Sequence, residues 1–204
     1  QPVEGYSRLM GEDESGTVKT LETYKGVMFS LIKQHRGMVV DSPGDNLLAE
    51  FGSVVDAVQC AVAVQKELQA RNASLPENRR MEFRIGINLG DVIEEEGSIY
   101  GDGVNIAARV ESLAEGGGIS ISGNAYEQIK NKLALEYDYL GEHKVKNIAE
   151  PIRVYKVQIE REAKVGSLAV EPAAIEKMAF PLPDKPSIAI LPFVNMSGDP
   201  ELDY

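Results

Sequence analysis

The chain has 204 residues and a formal net charge of -11. That length allows one ordinary domain plus extra material. The charge argues against a general nucleic-acid or anionic-membrane surface, because both reward clustered Lys and Arg. It leaves room for a small nucleotide whose charge a local cation site neutralises. The single cysteine, Cys60, rules out an intramolecular disulfide framework and fits a reducing, cytoplasmic setting. No signal peptide and no bilayer-length apolar run is visible. The first residue is Gln1, which leads us to expect a piece of a longer protein.

In chain order, Gln1 to Tyr6 reads as the tail of a strand. Gly11 to Arg36 follows as a helix, capped by Asp13 or Ser15, with Val18, Leu21, Val27, Met28, Leu31 and Ile32 near helical spacing. Gly37 is expected to end it in the C′ position. Met38 to Phe51 reads as a β-hairpin, with Val39, Leu47 and Leu48 on buried faces and a tight turn at Pro43-Gly44. Asp41 and Asp45 bracket that turn. Gly44 can adopt positive φ at little cost, so the loop can turn sharply and project the Asp45 carboxylate. Such a carboxylate suits a hard cation, since Mg²⁺ takes one or two protein carboxylates and leaves other positions to phosphate and water. From the hairpin alone, a turn with solvated acids remains the alternative reading.

Ser53 is expected to cap a helix over Val54 to Asn72, with Val55, Val58, Val62, Gln65 and Leu68 along one side and Cys60 as a core filler. Leu75 to Arg80 reads as a polar loop and Met81 to Val92 as a long strand, with Phe83, Ile85, Ile87 and Leu89 on one face. Asp91 to Gly103 reads as a second hairpin. Val104 to Ala114 is a short helix ended by Gly116-Gly117-Gly118, Ile119 to Ser122 a strand, Gly123 to Lys132 a helix, and Glu136 to Val157 a two-stranded meander. The order predicts an α+β fold, a ferredoxin-like split βαβ sheet with helices packed on it. The composition changes after Glu160. Residues 161–186 read as a linker, and Ser187 to Val194 as the first strand of a further domain cut off at Tyr204, or as an added edge strand.

Five segments then stand together: VEGYSRLM, PGDNLLAEF, RIGINLGDV, IYGDGVNIAARVESLA and KVKNIAEPIRVYKV. With them the stretch 1–160 resembles the class III adenylate and guanylate cyclase catalytic domains, and most of all those of bacterial multidomain proteins. The resemblance implies a phosphorus–oxygen lyase in intracellular signalling that makes a 3′,5′-cyclic nucleotide and pyrophosphate from a nucleoside triphosphate. It implies a dimer with active sites at the subunit interface and two ions, Mg²⁺ or Mn²⁺, held by two aspartates. It places the second metal aspartate at Asp45, the ribose-orienting asparagine at Asn105, the phosphate-contacting arginine at Arg109 and the triphosphate-stabilising lysine at Lys146. Asn105 and Arg109 stand four apart, on one face of a helix, and a guanidinium offers paired donors suited to phosphate.

The sequence departs from that pattern in two places. The first metal aspartate is replaced by Pro2, which has no carboxylate; Glu4, on the same face of a strand, is the candidate substitute. The base-selecting lysine and aspartate of adenylate cyclases are replaced by Asp41 and Ser98, a pair closer to that of guanylate cyclases. A carboxylate accepts from guanine N1–H and N2–H₂ but repels the adenine N1 lone pair, so GTP is expected over ATP. For Asp41 a turn acid is the alternative. Weak or absent turnover as a homodimer follows from Pro2. The chain could instead serve a complete cyclase as a heterodimer partner, or act as a regulatory pseudocyclase.

Overall fold

The computed structural model describes residues 6–90, 93–95, 98–144 and 150–159, all within the unit Gln1–Gly166. Of the strand expected at Gln1 to Tyr6, only Tyr6 is described, and it is helical; the linker and the apolar segment Ser187 to Val194 lie outside the described residues, as do Pro2, Glu4 and Lys146.

Two helices open the described chain, α1 (Tyr6–Glu12) and α2 (Glu14–Gln34). The sequence predicts one helix starting at Gly11; the chain instead enters helix at Tyr6 and breaks at Asp13. The Asp13 carboxylate accepts from Gly16 N–H at 2.9 Å, satisfying a donor that a helix start leaves free. α2 buries Leu21, Tyr24, Met28 and Ile32, while Val18 faces solvent. At its far end the left-handed residue is Arg36, with φ 60°, not Gly37. Arg36 reaches Asp56 at 2.6 Å. Gly37 is needed for a different reason: a Cβ there would lie 2.4 Å from the Phe51 ring.

The first hairpin pairs β1 (Gly37–Asp41) with β2 (Leu48–Phe51), in register from Gly37 opposite Phe51 to Asp41 opposite Leu48. The register slips between Val39 and Asp41. The connection is longer than the tight turn expected: residues 42–47 join the strands, and Asn46 N–H donates to Pro43 O at 2.9 Å within it. Gly44 holds φ 54°, as its place in the turn requires.

α3 (Val54–Asn72) matches its predicted bounds, though the Ser53 side chain makes no capping bond. It buries two sides. Cys60, Val64 and Leu68 pack with α2, Met81 and Phe83, while Val58, Ala61 and Val62 pack with the main sheet and its covering helix. A 3₁₀ turn (Glu77–Arg79) interrupts the polar loop that follows.

Among the described residues of the long strand expected over Met81 to Val92, the regular part is β3 (Ile85–Ile87). Phe83 is buried, but Leu89 is exposed, so the strand ends before the alternation does. β4 (Ile93–Glu95) and β5 (Ser98–Tyr100) form the second hairpin. α4 (Asp102–Glu111), β6 (Ile119–Ser122), α5 (Gly123–Ile129), β7 (Glu136–His143) and β8 (Ile152–Gln158) complete the described elements. The main sheet runs β3-β6-β8-β7, with β3 and β6 parallel and the others antiparallel. Its central strand β6 is buried along its whole length, with Ile119 and Ile121 wholly enclosed. The mixed sheet with helices packed on it is the α+β architecture predicted.

One contact fixes α4 on the sheet. A Cβ at Gly86 would lie 2.3 Å from Glu111 N and 2.5 Å from Ala107 O. Only glycine lets the helix backbone come this close to β3. The start of α4 is tied by Asn88, whose side-chain amide donates to Gly103 O at 3.1 Å, and by Gly101, whose φ of 127° turns the chain out of β5.

Candidate functional site

The hairpin loop is the most densely bonded part of the site. Ser42 N–H donates to Asp41 Oδ1 at 2.8 Å, and Ser42 Oγ–H donates to Asn46 O at 3.3 Å. From α2, the Lys25 ammonium donates to Ser42 O at 3.0 Å and to Gly44 O. Burial pulls the Lys25 ammonium below the usual lysine range, and the carboxylates of Asp45 and then Asp41 oppose that shift.

Asp45 is 7 % exposed, and its Oδ2 is buried without a hydrogen-bond partner among the described residues. An unpartnered buried carboxylate oxygen is costly and calls for a compensating donor or cation. The donor set fits one hard cation that completes its shell with phosphate and water. It does not by itself hold two, and among the described residues no group of three or more His, Cys, Asp or Glu could hold a metal.

Asp41 and Asp45 line a cavity of about 600 Å³ together with Asn88 and with Gly103, Ala107 and Glu111 of α4. Glu111 meets Arg84 at 2.9 Å. Burial raises the Glu111 carboxyl above its ordinary value, and Arg84 pulls it back. Asn105 and Arg109 do not line this cavity. They are exposed on α4, with no side-chain hydrogen bond or ion pair among the described residues. At 100° per residue they project roughly 150° around the helix from the cavity face. The described chain therefore brings Asp41, Asp45 and Lys25 together and keeps Asn105 and Arg109 on another surface.

Ser98 lies on β5, which packs beside β1, so the strand bearing it neighbours the strand bearing Asp41. Lys25 is the residue that sequence reading missed. Its partners are 17 and 19 residues away, so no local pattern announces them.

Residues 2–159 match the Adenylate and Guanylate cyclase catalytic domain. The chain is 44% identical over 202 residues to the putative adenylate cyclase 3 of Rhizobium meliloti, covering 98% of this chain and 33% of the relative. It thus spans about a third of that relative's length. Among solved structures it is similar to an adenylate/guanylate cyclase/hydrolase from Silicibacter pomeroyi, with 37% identity and a TM-score of 0.71 over 76% of this chain and 90% of that one. The guanylyl cyclase Cya2 gives 26% identity and a TM-score of 0.65 over 76% and 87%. With its hairpin, its α4 motif and its sheet all in that frame, the chain belongs to the class III adenylate and guanylate cyclase catalytic-domain family.

Proposed function

We propose that this chain is a purine nucleotide cyclase-type domain that retains the groups for holding a nucleoside triphosphate, prefers GTP to ATP, and turns over weakly or not at all as a homodimer. The observation that carries the reading is the buried Asp45 carboxylate with its unpartnered Oδ2, held on a tightly bonded loop beside Asp41.

In the reaction proposed, the ribose 3′-hydroxyl gives its proton to solvent water and its oxygen attacks the α-phosphorus. The bond to the bridging oxygen breaks, and pyrophosphate leaves. Divalent cations, when bound, make the attacking oxygen anionic and neutralise the leaving charge. Asp45 would hold the cation, Asp41 and Ser98 would receive the guanine edge, Asn105 would orient the ribose, and Arg109 and Lys146 would bind phosphate oxygens. Because Asn105 and Arg109 project away from the Asp45 cavity, they serve a nucleotide held by a second chain. That division supports a dimer, either of identical chains or with a complete cyclase.

Pro2 favours a second reading. Without a carboxylate there, the domain is a pseudocyclase that binds nucleotide or keeps a dimer as a regulatory module. Incubating the protein with Mg²⁺ or Mn²⁺ and each of ATP and GTP, before and after Pro2→Asp, separates the two. Cyclic GTP formed only by the restored protein supports an impaired cyclase. No product from either supports the regulatory module, and brisk turnover by the unmodified homodimer refutes both. Calorimetry tests the base preference, which equal or tighter ATP binding would refute.

A further inference from the structure

Among the described residues, one side chain from outside the hairpin grips the loop that presents Asp45. Lys25 stands mid-helix on α2, one position after the buried Tyr24, and its ammonium reaches two carbonyls, those of Ser42 and Gly44. These carbonyls flank Pro43. The Gly44 carbonyl belongs to the peptide unit whose nitrogen is that of Asp45, so fixing its direction fixes the backbone from which the carboxylate projects. Gly44 holds positive φ, and a Cβ added there would meet nothing within 4 Å, so no neighbouring side chain packs on that position to hold it. The helix that carries Lys25 is anchored in the core by Tyr24, whose hydroxyl donates to Asn72 at 2.9 Å, and by Met28.

We propose that Lys25 is a positioning residue for the cation site: it clamps residues 42–44 and so aims the Asp45 carboxylate, while its charge offsets the two neighbouring carboxylates. This rests on the reading of Asp45 as a cation ligand. Lys25 touches neither substrate nor cation; it acts through the loop, as outer partners of metal ligands do.

The test compares the unmodified protein with Lys25→Met, Lys25→Arg and Asp45→Asn. Amide hydrogen exchange is followed at Ser42 and Asn46, and Mn²⁺ binding alone by calorimetry. Two bonds to a charged donor are lost in Lys25→Met, so those amides exchange at least about tenfold faster. Mn²⁺ binding weakens by about 10- to 100-fold. Exchange in α3 and β6 stays unchanged, and Lys25→Arg recovers most of both effects. Unchanged exchange at the loop in Lys25→Met overturns the proposal. So does a loosened loop with equal or tighter Mn²⁺ binding, which would make the ammonium a competitor of the cation. If the unmodified protein and Asp45→Asn both fail to bind Mn²⁺, the cation reading of Asp45 falls and the aiming role falls with it. The exchange rates then decide separately whether Lys25 holds the loop.

Discussion

Gly86→Ala probes the contact that places α4, and its size can be worked from the geometry. The added methyl would lie 2.3 Å from Glu111 N, 2.5 Å from Ala107 O and 2.6 Å from Glu111 Cα. Ordinary contact begins near 3.4 Å, so the helix must retreat by roughly an ångström. All three neighbours are backbone, so no side-chain rotation relieves the clash. Overpacking of this kind costs about 1–3 kcal/mol, and the rigid neighbours place this case at the upper end. For a domain of this size, about 3 kcal/mol lowers Tm by roughly 6–12 °C. Thermal unfolding followed by circular dichroism measures it. Gly26→Ala supplies the control: Gly26 lies inside α2 with nothing within 4 Å of the added methyl, so it should gain about 0.5–1 kcal/mol and raise Tm slightly. A Gly86→Ala protein that melts within about 2 °C of the original would refute the reasoning. It would mean that α4 is not seated against β3 as described.

Other outcomes follow from the core and the site. Asn72→Ala removes the partner of Tyr24 Oη–H, Met81 N–H and Met81 O. With these groups left buried, urea unfolding should show a loss of about 2–4 kcal/mol. Cys60 is 2 % exposed, and burial pushes its thiol up to about 11 from an ordinary value of 9.0. A thiol reagent at pH 8 should therefore label it only at the rate of unfolding. The neutral thiol is favoured in the folded state, so its contribution is complete below about 9 and lost as pH rises towards 11. Cys60→Ala should flatten the alkaline fall in stability across that window; an unchanged slope would count against it. Asp41→Ala should abolish the preference for GTP over ATP in calorimetry while leaving Tm within about 2 °C, because an exposed acid at the end of β1 carries little stability.

Much of the layout can be read in the residues themselves. The bounds of α3 and β6 and the existence of both hairpins follow from apolar period and turn chemistry, which are local. Asp13 caps α2 because a carboxylate three residues ahead of a free N–H needs no distant partner. The misreadings fall where distant packing overrides local preference. Tyr6 to Glu12 is helical with Leu9 buried in the α2–α3 cluster, despite a strand-like sequence before it. The apolar alternation of Met81 to Leu89 outruns β3 because only Ile85 to Ile87 find a partner in β6.

For the site, the hairpin turn draws attention to Asp41 and Asp45 with a solvated-acid reading still open, while Asn105 and Arg109 stand out only through the resemblance to the cyclase family, their four-residue spacing adding that one helix face carries both. It could not say that Asp45 keeps an oxygen buried and unpartnered, that Asn105 and Arg109 look away from it, or that Lys25 grips its loop. Those facts depend on how α2, the hairpin and α4 lie against one another. Burial and direction are properties of surfaces meeting, and a linear chain carries no record of which surfaces meet until it has folded.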